Sequence, residues 1–343
     1  DTAVRKKIKF KGLKAGREND VDTVYNGKFV TTSSRDTDFI YGVKDKTTFL
    51  FGGTKYHLSN SYYDSKMDYL FIDEAGQISV ADLIVLGQIA KNIVLIGDQN
   101  QLGQPTKGSH PGFSGKSILE FLLGDLETIP QDKGIFLNRT YRLHPEINEF
   151  TSGSFYENRL IADEQTKNRK ISTKDKSFFS KSGIYYLDMS HEDNIQTSQE
   201  ECNEIIKIVE GFVGQNYFDG KNNRKITIED ILIISPYNAQ VNAISFNLKN
   251  KNARVGTIDK FQGQEAPITI ISMTSSDPDN LPRNKEFFFS RNRLNVAISR
   301  AQCISIILFN SNLLKFMPKT YEQVKLINNF IKIKNKYGYG KDD

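Results

Sequence analysis

Two α/β units in tandem, each a parallel sheet flanked by helices, is the fold class that this sequence predicts, and three observations carry it. The 343 residues correspond to two domains at roughly 150 residues each, both large enough to bury a core. Short apolar runs of strand length alternate with longer amphipathic stretches, the pattern of strands joined by crossover helices. Leu126 to Lys133, Leu-Glu-Thr-Ile-Pro-Gln-Asp-Lys, interrupts that alternation after one α/β block and before another. The expected domains are therefore 1–130 and 131–343.

The strand candidates are Thr48 to Phe51, Tyr69 to Ile72, Ile93 to Ile96, Ile184 to Leu187, Ile231 to Ile234, Ile268 to Ser272 and Ile304 to Phe309. Helices between them have readable starts. Ser79 with Asp82, Ser117 with Glu120 and Ser198 with Glu201 each have the spacing of a capping box, in which two orphan backbone donors are satisfied reciprocally. The helix after Ser198 carries an apolar stripe at Ile205, Ile208, Val209 and Phe212. Leu294, Ala297, Ile298 and Ala301 follow the i, i+3, i+4, i+7 pattern of another helix. Residues 163–182 and 214–225 are polar and rich in Lys and Asn and read as surface loops. The first 46 residues give little signal, and no repeat or low-complexity tract is present.

Composition excludes several classes. Charged residues at 25% and hydrophobic residues at 38% describe a globular chain. No apolar run approaches the roughly 20 residues of a membrane-spanning helix, and the polar first twelve residues do not resemble a signal peptide. Cys202 and Cys303 are too far apart to suggest a zinc pair, so the expectation is a reducing, cytoplasmic compartment of bacterial type, with no metal cage or disulfide. The surplus of +5 is weak support for a nucleic-acid partner. Its distribution says more, because Arg283, Arg291, Arg293 and Arg300 fall in one short stretch.

The strongest local signal is Tyr69-Leu70-Phe71-Ile72-Asp73-Glu74-Ala75. An apolar strand ending in adjacent carboxylates puts both at the carboxyl edge of a parallel sheet, where open α/β sheets bind ligands. Hydrolysis of a nucleoside triphosphate uses such a pair: Asp73 to hold Mg²⁺ on the phosphates and Glu74 to orient the attacking water. Read alone, the pair serves equally well at a helix N-terminus. A second buried strand, Ile93 to Ile96, opens into Gly97-Asp98-Gln99-Asn100-Gln101-Leu102-Gly103-Gln104-Pro105. Gly97 permits a tight turn there, and loop amides can reach a terminal phosphate without adding charge.

With these two segments the chain resembles superfamily 1 helicases of the 1B branch, the group of the nonsense-mediated-decay and Okazaki-fragment-processing helicases. Within it the chain is similar to bacterial helicases fused to RecB-like nucleases. The resemblance covers roughly residues 47 to 330 and comes as six motifs in order. Asp73-Glu74-Ala75-Gly76-Gln77 matches motif II and Gly97 to Leu102 motif III. Thr140-Tyr141-Arg142-Leu143-His144-Pro145 opens the second domain, and Ser235-Pro236-Tyr237-Asn238-Ala239-Gln240 is similar to the nucleic-acid-facing motif. Val255 to Glu265 resembles motif V and Arg293 to Ala301 motif VI.

The resemblance implies two RecA-like P-loop NTPase domains with ATP and Mg²⁺ bound between residues 1–130 and 131–343. Catalysis would fall to Glu74, to Gln101 as the γ-phosphate sensor, and to Arg142 and Arg300 as arginine fingers. Asp73, Gly97, Asp98, Gln262, Gly263 and Glu265 would hold the nucleotide and its metal, Glu265 through the ribose. Ser235, Tyr237 and Thr257 would contact backbone phosphates and sugars of single-stranded DNA or RNA, with 5′ to 3′ translocation by a monomer. Arg293 and Arg300, seven residues apart, would share a stripe of the last helix, and Arg293 reads equally as a surface or salt-bridged cation. Phe287-Phe288-Phe289 reads as core packing sooner than as a stacking platform. His144 is expected to make a structural hydrogen bond.

One part of the pattern is missing. No G-x-x-x-x-G-K-[ST] phosphate loop occurs. Gly115-Lys116-Ser117 is a decoy, since His110 stands where the first glycine belongs and Ser117 starts a helix. The first residue is Asp1, so the expectation is the carboxyl-terminal part of a longer helicase, with an incomplete first domain and room upstream for a nuclease domain. The alternative is an ATPase-inactive nucleic-acid-binding or scaffolding module.

Overall fold

The computed structural model describes residues 10–16, 29–46, 48–103, 110–175, 178–282 and 285–339. Expectations concerning the first nine residues, Gln104, Pro105 and Arg283 lie outside them. The chain forms two compact units. The first comprises residues up to Gln99 and Gly103–Asp125, and the second comprises Asn100–Leu102 and Leu126 onward.

In the first unit, strands β1 (Gly12–Ala15), β2 (Val30–Ser33) and β3 (Leu50–Gly52) form a parallel sheet in the order β2-β1-β3. Strands β4 (Met67–Ile72) and β5 (Ala90–Leu95) form a separate parallel pair. The apolar runs at 69–72 and 93–96 fall on strands, but the second is not the buried strand expected, since β5 ends at Leu95 and Ile93 and Ile96 are exposed. The run at 48–51 enters its strand two residues late. Leu70 and Ile72 face inward onto a core with Phe39, Tyr63, Leu86 and Ile118. The Ser79–Asp82 capping box is formed in both directions ahead of the helix Val80–Leu86, and Lys55 Nζ fixes Asp82 at 2.7 Å. Ser117 accepts from the Glu120 amide at 3.1 Å and caps Ile118–Leu123, so Gly115-Lys116-Ser117 is a helix start.

The second unit is built on five parallel strands: β9 (Gly183–Asp188), β12 (Ile231–Ile234), β13 (Arg254–Gly256), β14 (Ala266–Ser272) and β15 (Ala301–Phe309), in the order β13-β12-β14-β15-β9. Alternate residues feed two cores. Ile231, Ile233, Ile268, Ile270, Ile304 and Ile306 belong to one, while Leu232, Ile234, Ile271, Ile307 and Phe309 belong to the other. The helix Gln199–Phe212 packs into the first core through Ile205, Ile208, Val209 and Phe212. Helices Pro145–Phe155, Arg291–Ser299 and Tyr321–Tyr337 pack into the second. A sheet covered on both faces needs near-continuous apolar strands, which is why they were readable. Two-residue strands β6 (Arg139–Thr140) and β7 (Ile161–Ala162) pair beside it.

Three expectations are corrected. The early segment holds β1, β2 and the helix Asp36–Lys44. The polar stretches 163–182 and 214–225 are more than loops, because β8 (Lys170–Ser172), β10 (Asn216–Phe218) and β11 (Asn223–Lys225) form a small antiparallel sheet there. Each of these strands is three residues long, and β8 and β10 bury one side chain apiece, Ile171 and Tyr217, too little alternation to detect. The last predicted helix runs Arg291–Ser299, not 294–301, because Ala301 is taken by the ladder with Ala266. Arg300 is the C-cap residue of that helix.

Ser198 caps its helix, but the second half of the expected box is replaced. The Glu201 carboxylate turns inward, fully buried, and accepts from Ser272 Oγ at 2.5 Å and from the Thr274 amide at 3.0 Å, with His191 Nε2 at 3.2 Å. Thr274 is held at φ 72°, a conformation that strains a β-branched residue. Among the described residues no helix is long and apolar enough to cross a membrane. Replacing Glu201 by Gln puts an amide NH₂ where donors already point. That change should cost about 1–3 kcal/mol of unfolding free energy, measured from urea midpoints. An unchanged midpoint would refute the role given to the carboxylate.

Candidate functional site

At the carboxyl end of β4 the chain emerges as Asp73 and Glu74, both exposed. Glu74 adopts the left-handed conformation, φ 53° and ψ 42°, and its amide donates to Asp73 Oδ1 at 3.0 Å. The following Ala75 amide donates to Ile96 O at 2.8 Å, tying this turn to the end of β5. Gly97 lies so close that a Cβ there would sit 2.8 Å from Ala75 N and 3.1 Å from Gly76 N, and a Cβ on Gly76 would sit 2.9 Å from Asp98 O. Asp73, Glu74, Gly97 and Asp98 are thus brought to one sheet edge, with backbone packed on backbone.

That edge suits Mg²⁺ bound with a nucleotide. Among the described residues no group of three or more His, Cys, Asp or Glu forms a cage. Magnesium does not require one, since it keeps several waters and takes one or two carboxylates plus substrate phosphates. Asp73 meets that demand.

In the second unit Asn100 and Gln101 are anchored by the helix Arg291–Ser299. Asn295 Nδ2 donates to Asn100 O at 2.9 Å and Asn292 Nδ2 to Gln101 O at 2.8 Å. Asn100 itself donates to Glu127 O and Phe155 O, at 2.7 and 2.8 Å.

Arg142, Glu265 and Arg300 meet around one loop. Arg142 Nε donates to Glu265 Oε2 at 2.5 Å and Nη1 to Ser299 O at 3.4 Å. Arg300, 2% exposed, donates to Val296 O at 3.3 Å and Gln264 O at 3.2 Å. Burial alone would raise the Glu265 carboxyl. The hydrogen bond and charge of Arg142, then the hydrogen bond from Gln302, hold it below the usual glutamate range instead. Beside it, Gly263 sits at φ 74° with open space where a Cβ would stand, a turn that favours glycine. Among the described residues Gln262 Nε2 is buried without a hydrogen-bond partner, a donor suited to an oxygen of a bound nucleotide.

The candidates for nucleic-acid contact are mostly internal. Ser235 is fully buried and its hydroxyl lies 3.2 Å from Thr274 Oγ1. Tyr237 is 5% exposed and stacks on Phe288, centroids 6.4 Å apart. Thr257 is half-buried and precedes the short helical turn Ile258–Phe261. An apolar cavity of about 40 Å³ opens beside them, lined by Ser235, Pro236, Met273, Phe287, Phe288 and Arg293 among others. Arg293 pairs with Asp259 at 3.1 Å and covers the Phe287 ring, the salt-bridged option open in the sequence. Phe288 and Phe289 are core residues. His144 accepts from the Glu146 amide through Nδ1 at 3.3 Å and caps its helix, while Nε2 faces Lys167 O. Burial lowers its pKa, and both ring nitrogens face backbone groups at this helix start.

Sequence reasoning missed three residues that surround Arg142. Gln302 Nε2 donates to Glu265 Oε1 at 2.8 Å, Tyr217 OH donates to Gln302 Oε1 at 3.0 Å, and Arg169 donates to the carbonyls of Tyr141 and Arg142. No local pattern marks them, since their partners lie tens of residues away.

Residues 115–312 match a family described as AAA domain. DNA polymerase alpha-associated DNA helicase A of Schizosaccharomyces pombe is 29% identical over 75% of this chain and 39% of its own length. DNA replication ATP-dependent helicase/nuclease dna2 of the same organism is 29% identical over 76% of this chain and 20% of its own length. Regulator of nonsense transcripts 1 of Dictyostelium discoideum is 31% identical over 74% of this chain and 19% of its own length. The chain therefore spans well under half the length of these relatives.

Two predictions follow from the geometry. Gly97→Ala should force the Ala75–Gly76 backbone away and destabilise the first unit by about 1–3 kcal/mol; thermal unfolding measures it, and an unchanged melting temperature would show that the close approach is not required. Glu265 has a depressed folded-state pKa, so its contribution is present above the usual glutamate value of about 4.3 and lost as pH falls through the lower folded value. Urea midpoints of the wild type and Glu265→Gln should therefore differ most near neutrality and converge as pH falls through the lower folded-state value. With the Glu265 side chain 43% exposed, added salt should shrink the difference. A gap constant with pH would rule out the ion pair as its source.

Proposed function

The chain belongs to the AAA domain family matched at residues 115–312, and from that premise we propose that it forms a large part of the motor core of an ATP-dependent helicase or translocase acting on single-stranded nucleic acid. DNA is the proposed strand, in keeping with the names of the two relatives that are 29% identical, and 5′ to 3′ the proposed direction. One observation carries the reading: the turns at Asp73–Gly76 and Gly97–Asp98 are packed backbone to backbone at the end of one parallel strand pair. The pairing of β4 with β5 and the Ala75 amide bond to Ile96 O hold the two acidic turns together, and a triphosphate site uses both at one sheet edge.

Bound Mg²⁺ neutralises charge on the phosphates. Asp73 is proposed to hold it and Glu74 to orient the attacking water, its backbone already strained into position. Gln101, Arg142 and Arg300 are proposed to meet the γ-phosphate, and a permanently charged guanidinium suits the charge that grows there. Gln262, Gly263 and Glu265 are proposed to receive the nucleotide, the unpaired Gln262 amide supporting that role. Ser235, Tyr237 and Thr257 are proposed to order the strand-facing edge from beneath.

The test is single-strand-stimulated ATP hydrolysis by the full-length product of the gene. Glu74→Gln and Arg142→Ala should each lower kcat by about 10³ or more while the folded state persists by circular dichroism. If either variant keeps wild-type turnover, the residue roles fall.

A further inference from the structure

Arg142 is positioned by residues outside the six motifs, and their arrangement goes one step beyond the nucleotide-site reading, on which it rests. A carboxylate can only accept hydrogen bonds, so the Gln302 amide must turn its nitrogen to Glu265 Oε1, at 2.8 Å. That leaves its oxygen for Tyr217 OH at 3.0 Å, which must therefore donate. Tyr217 is 1% exposed on β10, with the Arg224 guanidinium over its ring and Arg224 clamped by both oxygens of Asp230 at 2.6 and 2.7 Å. The backbone is fixed as well. Gln302 O accepts from the His144 amide at 3.2 Å, and Arg169 bridges the Tyr141 and Arg142 carbonyls to Asp219 O.

Every donor and acceptor from the small antiparallel sheet to Glu265 thus has one orientation. At its end, Arg142 is gripped at Nε by Glu265 and at Nη1 by Ser299 O. Its remaining nitrogen, Nη2, has no partner among the described residues. A donor fixed before the substrate arrives needs no reorganisation when charge develops.

We propose that Gln302 and Tyr217 are positioning residues of the ATPase, holding Glu265 so that it grips Arg142 by one edge and leaves the other edge for a phosphate oxygen. The linkage explains why a three-stranded sheet with so little core of its own is joined to β15 through a buried tyrosine hydroxyl. It also assigns Glu265 a task in the nucleotide-free protein: orienting the arginine.

The experiment follows kcat and KM for ATP, with single-stranded DNA present, against pH in the full-length product. Gln302→Leu should lower kcat about threefold to tenfold with KM for ATP little changed, and Tyr217→Phe about twofold to threefold. Gln302→Glu is the discriminating variant. At neutral pH it sets a second carboxylate against Glu265 and should lose at least as much as Gln302→Leu. As pH falls one of the two protonates and donates as the amide did, so its kcat relative to wild type should recover toward acid pH. A pH profile parallel to wild type, or wild-type kcat in Gln302→Leu, overturns the proposal. The Arg142 Nε–H resonance in the same proteins supplies a readout independent of turnover. Gln302→Leu should move it toward the position of a solvent-exposed arginine, and acidification of Gln302→Glu should move it back. If the wild type hydrolyses no ATP, the function reading falls, and this resonance still decides the positioning role: unmoved by Gln302→Leu, it refutes it.

Discussion

A carboxylate sealed from water must be surrounded by donors, and the second unit is organised around that demand at Glu201. Its two oxygens take the Ser272 hydroxyl, the Thr274 amide and the His191 imidazole. Ser272 ends β14, and Thr274 follows in a left-handed conformation that its side chain disfavours. The helix Gln199–Phe212, the end of the central strand and the segment carrying His191 are therefore locked by one buried charge. Ser276 and Asn310 extend the lock by binding His191. Ser235 reaches the same network through Thr274, so the geometry of the candidate strand-facing edge is inherited from an acid more than thirty residues away in sequence. Removing one partner of such a group costs more than the bond itself, because the charge stays buried.

How much of this was readable depends on range. The strands of the central sheet announce themselves, because both faces are covered and nearly every position from Ile231 to Ile234 or Ile304 to Phe309 must be apolar. Asp73 and Glu74 were readable because a charge pair directly follows the apolar run Tyr69 to Ile72, although β4 buries only Leu70 and Ile72 and leaves Tyr69 and Phe71 exposed. Ser79, Ser117 and Ser198 were readable because capping is decided within four residues. Glu201 was misread for the complementary reason. It lies four residues before Ile205 on the apolar stripe, yet the capping rule explained it completely and gave no cause to look inward. Gln302, Tyr217 and Arg169 carry no local signal. Their partners are 37 to 85 residues distant for Gln302, a separation at which only the fold brings groups together.

The segment after β5 shows the same limit. As sequence, Gly97 to Leu102 is one loop. In the structure Gly97 is pressed on the Ala75–Gly76 amides, while Asn100 and Leu102 are buried in the second unit, Leu102 in its core. Spacing alone could not divide a six-residue loop in this way, because the division is made by the acceptors that Asn292 and Asn295 require.

The two arginines proposed to meet phosphate illustrate how a permanent charge is stored. Neither can shed its proton, so each must be compensated when no phosphate is present. The helix Arg291–Ser299 offers what they need, since its last four carbonyls have no partner within the helix and carry the negative end of its dipole. Arg300 takes Val296 O and Arg142 takes Ser299 O. The same guanidiniums therefore complete a helix terminus at rest. Their burial differs: Arg300 is 2% exposed, whereas the Arg142 side chain is 32% exposed and paired with Glu265. A half-exposed cation held at one edge by a carboxylate keeps donors available without leaving its place. Because Arg142 is held at that edge by Glu265, and Glu265 in turn by Gln302, the orientation of the carboxylate, not the presence of the arginine alone, is what the surrounding fold sets.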